Sequence, residues 1–307
     1  MRLKLPRSRK QATDLWQVGV IAAPIAQVLQ ADNLAALPTV WLPRPRPFAF
    51  IADPFAARDA QGNLCVLVEA LDYRKKRGEI HYYRYSPAMV LMDSGVALRG
   101  KYHFSYPYLI PHEGEIYMLP ECYRSGALTL YRATEFPYGW EKVKDLLSFG
   151  AIDASVIQYA GRWWMFFARA GENQRALREL HIAYADDLLG EWQLHSQNPV
   201  RTGLDASRMG GTPFVVEGML YLPMQDCTHT YGGAINVLKV TALSPDNFVA
   251  EKTKTILPTG INPAYPNGLH TLSACGDVTL LDVKRISHSP MRMLINWQRR
   301  LRRLGGL

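Results

Sequence analysis

Charge is scarce in this sequence of 307 residues. Asp, Glu, Lys and Arg make up 20% of it, while 48% is hydrophobic and 11% aromatic. That composition excludes a disordered chain and supplies material for a large core. Cysteine is scarcer still. Cys65, Cys122, Cys227 and Cys275 lie far apart with no CxxC pair, which argues against a clustered zinc site and for reduced thiols in a cytoplasmic protein. No apolar run approaches the roughly 18 residues that a membrane-spanning helix needs. The basic start (Arg2, Lys4, Arg7, Arg9, Lys10) ahead of apolar Trp16–Leu29 has the outline of a signal peptide. Asp14, Pro24 and Gln27 interrupt it and no small-residue cleavage site follows, so the expectation is a chain retained in the cytoplasm.

Acid is missing from both ends. Residues 1–13 hold five Lys and Arg, residues 286–307 hold five Arg, and neither stretch has an Asp or Glu. Taking those ten cations from the overall charge of +8 leaves −2 for the body. A slightly acidic body carrying basic arms is not a nucleic-acid-binding core. The arms are expected instead to meet an anionic membrane surface, peripherally at the inner face.

What is present is repetition. Five segments share one plan of an opening polar or small residue, a strand, a Gly-containing turn and a second strand ending in polar groups. They are Asp53–Glu69, Tyr106–Glu121, Asp153–Arg169, Gly211–Asp226 and His270–Asp282. Their openers stand 53, 47, 58 and 59 residues apart. Third strands are expected at Ile80–Tyr85, Leu128–Ala133, Leu180–Tyr184 and Ala234–Val240, and outer ones at Trp140–Leu147 and Trp192–Leu194. A repeat near fifty residues with about four short strands per unit specifies an all-β, five-bladed β-propeller; a β-sandwich fits the strand count but not the spacing. The fifth unit is short of strands, and Trp16–Ile21 is expected to complete it. The domain plan is thus a basic N-terminal arm (1–13), a propeller (14–287) and a basic amphipathic C-terminal helix (288–307). In that helix Met291, Leu294, Ile295, Trp297, Gln298, Leu301 and Leu304 approximate one face. It reads either as a membrane- or partner-binding element or as a helix packed on the propeller with a solvated basic side.

Trp16-Gln-Val-Gly19, Ala52-Asp-Pro-Phe55, Ser105-Tyr-Pro-Tyr108, Tyr117-Met-Leu-Pro-Glu121, Gly161-Arg-Trp-Trp164 and Ser207-Arg-Met-Gly-Gly211 through Gln225-Asp-Cys227 carry a resemblance. They resemble the five-bladed propellers of the furanosidase superfamily (arabinanases, xylosidases, invertases). They look closest to the N-terminal domain of glucosamine inositolphosphorylceramide transferase and its bacterial stand-alone relatives. In the furanosidases three carboxylates on the innermost strands form an axial site. The resemblance puts Asp53 at the position of the base or nucleophile and Asp153 at that of the acidity-tuning aspartate. Where the acid is expected on the fourth blade this chain has Arg208-Met-Gly-Gly. Ordinary glycoside hydrolysis then lacks its proton donor unless Glu69, Glu121 or Asp226 substitutes.

The candidate catalytic residues are therefore Asp53, Asp153 and Glu121. Glu69, Tyr106, Arg208, Gln225, Asp226, Tyr231 and His270 are the candidate substrate-binding residues. Each has a plainer reading. Asp53 before Pro54 would also cap a turn. Glu121 would also bond blade to blade, and Arg208 would pair with Asp53 or Asp153 rather than with a ligand anion. His270 reads as a core histidine or, by the resemblance, as a neighbour of an axial calcium; no other cofactor is expected. Tyr106, Tyr108, Trp163 and Trp164 would stack on sugar rings, although alternation puts at least one of the tryptophans in the core. Gly210-Gly211 would let an anionic ligand approach bare backbone. The function expected is carbohydrate-active, in cell-envelope or lipid-linked glycan assembly, by glycosyl transfer or glycan modification on a glycan, sugar nucleotide or lipid-linked sugar. The alternatives are a furanosidase-like hydrolase with a displaced acid and a non-catalytic glycan-binding module.

Overall fold

The computed structural model describes residues 12–75, 77–171 and 174–304; residues 1–11 of the expected basic arm lie outside them. Runs such as Leu64–Val68 and Trp163–Ala168 are buried at every position. An apolar run of that length, bounded by turns, is a strand covered on both faces by neighbouring sheets. The turns within the repeat have a common chemistry. Glu113-Gly114, Ala160-Gly161 and Glu217-Gly218 each place both residues at positive φ, near 50° and then near 80°. Two left-handed residues in a row reverse a strand with the twist that an antiparallel pair requires.

Five antiparallel sheets result among the described residues. Blade I comprises Ala49–Arg58, Leu64–Asp72, Gly78–Tyr85 and Leu91–Leu98, and blade II Ser105–His112, Glu115–Glu121, Leu128–Glu135 and Gly139–Leu147. Blade III runs from Ala151–Tyr159 through Arg162–Arg169 and Glu179–Ala185 to the short Gln193–Leu194. In blade IV two short pieces, Arg208–Met209 and Phe214–Val216, both pair with Met219–Asp226, followed by Ala234–Ser244 and Asn247–Ile256. The expected all-β, five-bladed β-propeller is the fold observed.

Blade V is made from both ends of the chain. Leu272–Cys275 and Val278–Ser287 are joined by Thr13–Ile21 and Thr39–Trp41. Thr13–Ile21 pairs over its whole length with Thr279–Ser287, and Trp16, Val18, Val20 and Ile21 are all buried. The N-terminal strand thus closes the ring, as the strand shortage of the fifth repeat implied. A short helix, Ile25–Gln30, intervenes within the blade and buries Val28. The C-terminal helix spans Met291–Leu304. No described helix is long and apolar enough to cross a membrane.

Ring closure by one strand makes a test. A chain beginning at residue 23 is expected to lose the cooperative thermal transition followed by far-ultraviolet circular dichroism, because Leu280, Leu281 and Val283 lose their cover. Retention of the parent's transition would break the closure argument.

Candidate functional site

Asp53, Tyr106 and Asp153 lie within the first strands of blades I, II and III, and all three have positive φ (52°, 46° and 49°). Each sits where the register with the second strand shifts. A bulge of this kind re-aims a side chain away from the sheet face. Left-handed backbone costs a non-glycine residue about 1–3 kcal/mol and persists where its surroundings over-determine it. The same device used three times round one axis is what brings these side chains together.

The surroundings form a polar circuit through all five blades. From blade V, Asp282 accepts hydrogen bonds from the backbone N–H of Asp53 (3.0 Å), His270 (3.1 Å) and Thr271 (3.0 Å). Asp53 in turn accepts from the Tyr106 N–H at 3.2 Å and the Thr271 hydroxyl at 3.3 Å. The Tyr106 hydroxyl accepts from Gly211 N–H at 2.8 Å and lies 2.8 Å from Ser155 Oγ. Asp153 accepts from Gln225 Nε2 at 2.8 Å and from Arg208 Nε at 2.6 Å. The Gly210 carbonyl accepts from Leu272 N–H at 2.8 Å, which returns the circuit to blade V.

The charges in this cluster are buried: Asp53, Glu121, Asp153 and His270 are all at most 8% exposed. Burial raises Asp53 to about 8 against the attraction of His270, with Glu69, Asp153 and Asp282 adding to the rise. Burial and then Asp153 push Glu121 well above the usual carboxylate range, and Arg208 only partly opposes them. The direction of that shift favours the neutral form of Glu121 beside Asp153. Burial alone would lower His270, but Asp282, 2.7 Å from Nδ1, and Asp53, 3.4 Å from Nε2, raise it. Arg208 stays charged because Asp153, Tyr231 and Glu121 outweigh its burial. The arrangement combines a carboxyl of raised proton affinity, a carboxylate–guanidinium pair and an imidazole–carboxylate pair, a split of proton affinities that acid–base chemistry requires.

Aromatic groups form the wall beside it. Trp16 stacks on His270 with ring centroids 3.8 Å apart, and Tyr231 meets both rings edge-on. Gly232 has φ 56°, and a Cβ there would lie 2.5 Å from the His270 Cβ, so only glycine lets the Tyr231 loop lie flat on that stack. The fully buried Lys284 holds the loop through Thr230 Oγ1 (3.0 Å) and the Tyr231 carbonyl, and Asp14 balances it at 3.3 Å. Glu69 pairs with His103 Nε2 at 3.0 Å.

Asp53, Glu121, Asp153, Arg208, Gln225, Tyr231 and His270 therefore meet at one end of the axis, with Glu69 beside them. Three expectations are corrected. Tyr106 is wholly buried and is no platform for a sugar; its hydroxyl ties blade II to blades III and IV. Asp226 lies outside the cluster and caps its own turn, accepting from Thr228 N–H at 2.9 Å and Asn236 Nδ2 at 3.2 Å. Gly210-Gly211 is bare for the sake of the next blade, since a Cβ on Gly211 would lie 1.9 Å from the Leu272 carbonyl oxygen and one on Gly210 2.8 Å from that of His270. Arg208 takes the ion-pair reading, to Asp153. Tyr108 and Trp163 line a cavity of about 1150 Å³ at the other end of the axis, with Phe55, Ile110, His112 and Pro213.

Trp16, Thr271, Asp282 and His103 are site residues that sequence reasoning passed over. Asp282 ends the apolar run of the fifth repeat, the signal that nominated Glu69 and Glu121, and was open to the same rule. Oxygens or nitrogens of Asp53, His270 and Asp282 lie within 4.8 Å of one another. Calcium takes six to eight mostly oxygen ligands. Two carboxylates and an imidazole, with Asp282 already accepting three backbone N–H groups, do not make that cage, and no step is derived through a metal.

Replacing Tyr106 by Phe leaves the Gly211 N–H buried without an acceptor, so chemical denaturation should show a loss of about 1–3 kcal/mol; an unchanged midpoint would remove the hydroxyl from the circuit. The raised pKa of Asp53 makes a second test. Its folded value, about 8, lies above the ordinary 3.8 of an unfolded aspartate, so its contribution to stability is complete below pH ~4 and is lost as pH rises through ~8. Asp53→Asn should flatten that fall, so its melting temperature relative to the parent should climb between those limits. Parallel curves would contradict the assignment.

Residues 16–259 match the family described as glucosamine inositolphosphorylceramide transferase 1, N-terminal. The protein of that name from Oryza sativa subsp. indica is 38% identical over 209 residues, 66% of this chain and 28% of its own length. The Arabidopsis thaliana protein is 32% identical over 207 residues, 66% of this chain and 27% of its own. The chain thus spans about a quarter of the length of these relatives. Among solved structures, a β-1,2-mannobiose phosphorylase from Listeria innocua superposes with a TM-score of 0.57 at 11% identity, covering 80% of this chain and 92% of that one. A β-xylosidase/α-arabinofuranosidase from a compost metagenome gives 0.52 at 14%, covering 77% and 90%; such likenesses speak for the fold. The extent of the family match carries the assignment, and the chain belongs to the family of the glucosamine inositolphosphorylceramide transferase 1 N-terminal domain.

Proposed function

We propose that this propeller is a carbohydrate-active protein that acts on a sugar carrying an anionic group, by glycosyl transfer or glycan modification in cell-envelope or lipid-linked glycan assembly. Its place is the cytoplasm, peripherally at an anionic membrane surface met by the basic ends. The observation that carries the reading is the convergence of Asp53, Glu121 and Asp153 with Arg208 at one end of the axis. The names of the family's curated members, transferases of an inositolphosphorylceramide, support a substrate with a phosphate near its sugar.

In this reading Glu121, kept neutral by burial and by Asp153, gives its proton to the leaving oxygen as the glycosidic bond breaks. Asp53, in the ionised form that its pKa of about 8 leaves populated near neutral pH, takes the proton of the acceptor hydroxyl as the new bond forms. Arg208 is tied to Asp153 through Nε, and its Nη2 lies 3.4 Å from the Tyr231 hydroxyl. The outer edge of the guanidinium faces the anion. Hydrolysis is the second reading, because Glu121 can supply the proton donor missing from the fourth blade, with water in place of the acceptor.

Calorimetric titration of sugar phosphates against matched neutral sugars tests the anion requirement. Loss of a charge-assisted contact costs about 1.5–3 kcal/mol, so Arg208→Ala should weaken the phosphate ligand at least about tenfold and leave neutral sugars little changed. Indifference of the parent to the phosphate, or unchanged binding in the variant, would reduce Arg208 to a structural partner of Asp153.

A further inference from the structure

The C-terminal helix is attached by the side that its sequence would have left to water. Among its described side chains Arg292 and Ile295 are the buried ones, at 6% and 7% exposure. The Arg292 guanidinium lies over the Tyr73 ring, 3.9 Å from its centroid, and Arg299 Nη1 donates to the Tyr73 carbonyl at 3.3 Å. Positions 292, 295 and 299 follow the helical spacing, so one face, two-thirds arginine, meets the propeller. The apolar residues point away from it: Met293, Leu294 and Trp297 are 44%, 51% and 60% exposed. The sequence continues their spacing with Leu301 and Leu304. This contradicts the expectation of a helix packed by its apolar face with a solvated basic side, and leaves the membrane- or partner-binding alternative open. Apolar side chains grouped on an exposed helix face mark a surface that something covers.

Charge identifies the occupant. Thr13 pairs with Ser287, so the segments on either side of the ring closure leave the propeller at one corner. In the sequence, residues 1–13 and 286–307, which continue from that pair, hold ten Lys and Arg and no acid. An anionic bilayer offers both complements at once, negative headgroups for the cations and an acyl boundary for tryptophan, leucine and methionine. The corner also borders the axial site. Tyr73, under the helix, donates its hydroxyl to the Asp14 carbonyl at 2.8 Å. Asp14 pairs with Lys284, which holds the Tyr231 loop over His270.

We propose that the helix is an interfacial anchor. Met293, Leu294 and Trp297 enter the headgroup–acyl boundary of an anionic bilayer, and the axial site is held facing the headgroups, where a sugar carried on a lipid would be presented. The identity of that sugar rests on the functional reading above; the docking does not.

Co-sedimentation of the full chain with vesicles of phosphatidylcholine containing roughly one third phosphatidylserine tests the anchor without any substrate. Leu294→Ser with Trp297→Ser keeps every charge and removes two exposed side chains, so its melting temperature should hold while partitioning falls about tenfold or more. Hydrogen exchange on the same vesicles should slow in residues 122–126, the turn that follows Glu121, and in the Tyr231 loop (228–233), and not at the turns Glu113-Gly114, Ala160-Gly161 and Glu217-Gly218. Parent-like sedimentation of the double variant, absence of parent binding, or protection at those turns would overturn the proposal. So would a parent dimer in sedimentation velocity that the serines dissolve, since the face would then join two copies of this chain. Failure of sugar phosphates to bind would leave these outcomes untouched.

Discussion

The structure depends on a closed ring of buried polar contacts at its axis. Five sheets stacked through apolar faces have no intrinsic register with one another, because hydrophobic contact is non-directional. The Asp282 carboxylate, the Asp53 carboxylate and the Tyr106 hydroxyl each bond backbone of another blade. They fix the angular position of one blade against the next. The left-handed backbone of Asp53, Tyr106 and Asp153 is tolerated because this ring holds it. Groups that would serve chemistry are thus also the groups that hold the blades together, and burial shifts their proton affinities in the same stroke.

Much of the fold was legible because each repeat carries its own punctuation. Glu113-Gly114, Ala160-Gly161 and Glu217-Gly218 state a tight reversal in two letters, and the buried runs beside them state a strand. The ring closure followed from a shortage, the missing strands of the fifth repeat. The site was legible where function sits at a repeat position, as with Asp53 and Asp153. It was misread where a residue's partner lies in another blade. Nothing local in Gly210-Gly211 reveals that Leu272 presses against it. Nothing in Tyr106 reveals a hydroxyl that reaches two blades away. The helix was left with two readings for a related reason: periodicity reports that a face is apolar, not which neighbour it meets, and the Tyr73 ring under Arg292 sets aside only the packed one.

Arg208 and Glu121 are linked through Asp153. The guanidinium sets a fixed positive charge beside that carboxylate, and Asp153, so paired, still raises the proton affinity of Glu121. This coupling is electrostatic, and a count of acids along the sequence does not disclose it.

The Tyr106 side chain runs from blade II to blade IV, which are not neighbours in a ring of five, so it crosses the centre. The axial acids lie on one side of it and the cavity of about 1150 Å³ on the other. The side chain thus stands between the buried acids and that cavity. A molecule seated in the cavity would meet Phe55, Tyr108 and Trp163 and be kept from the acids by the tyrosine that also ties the blades together.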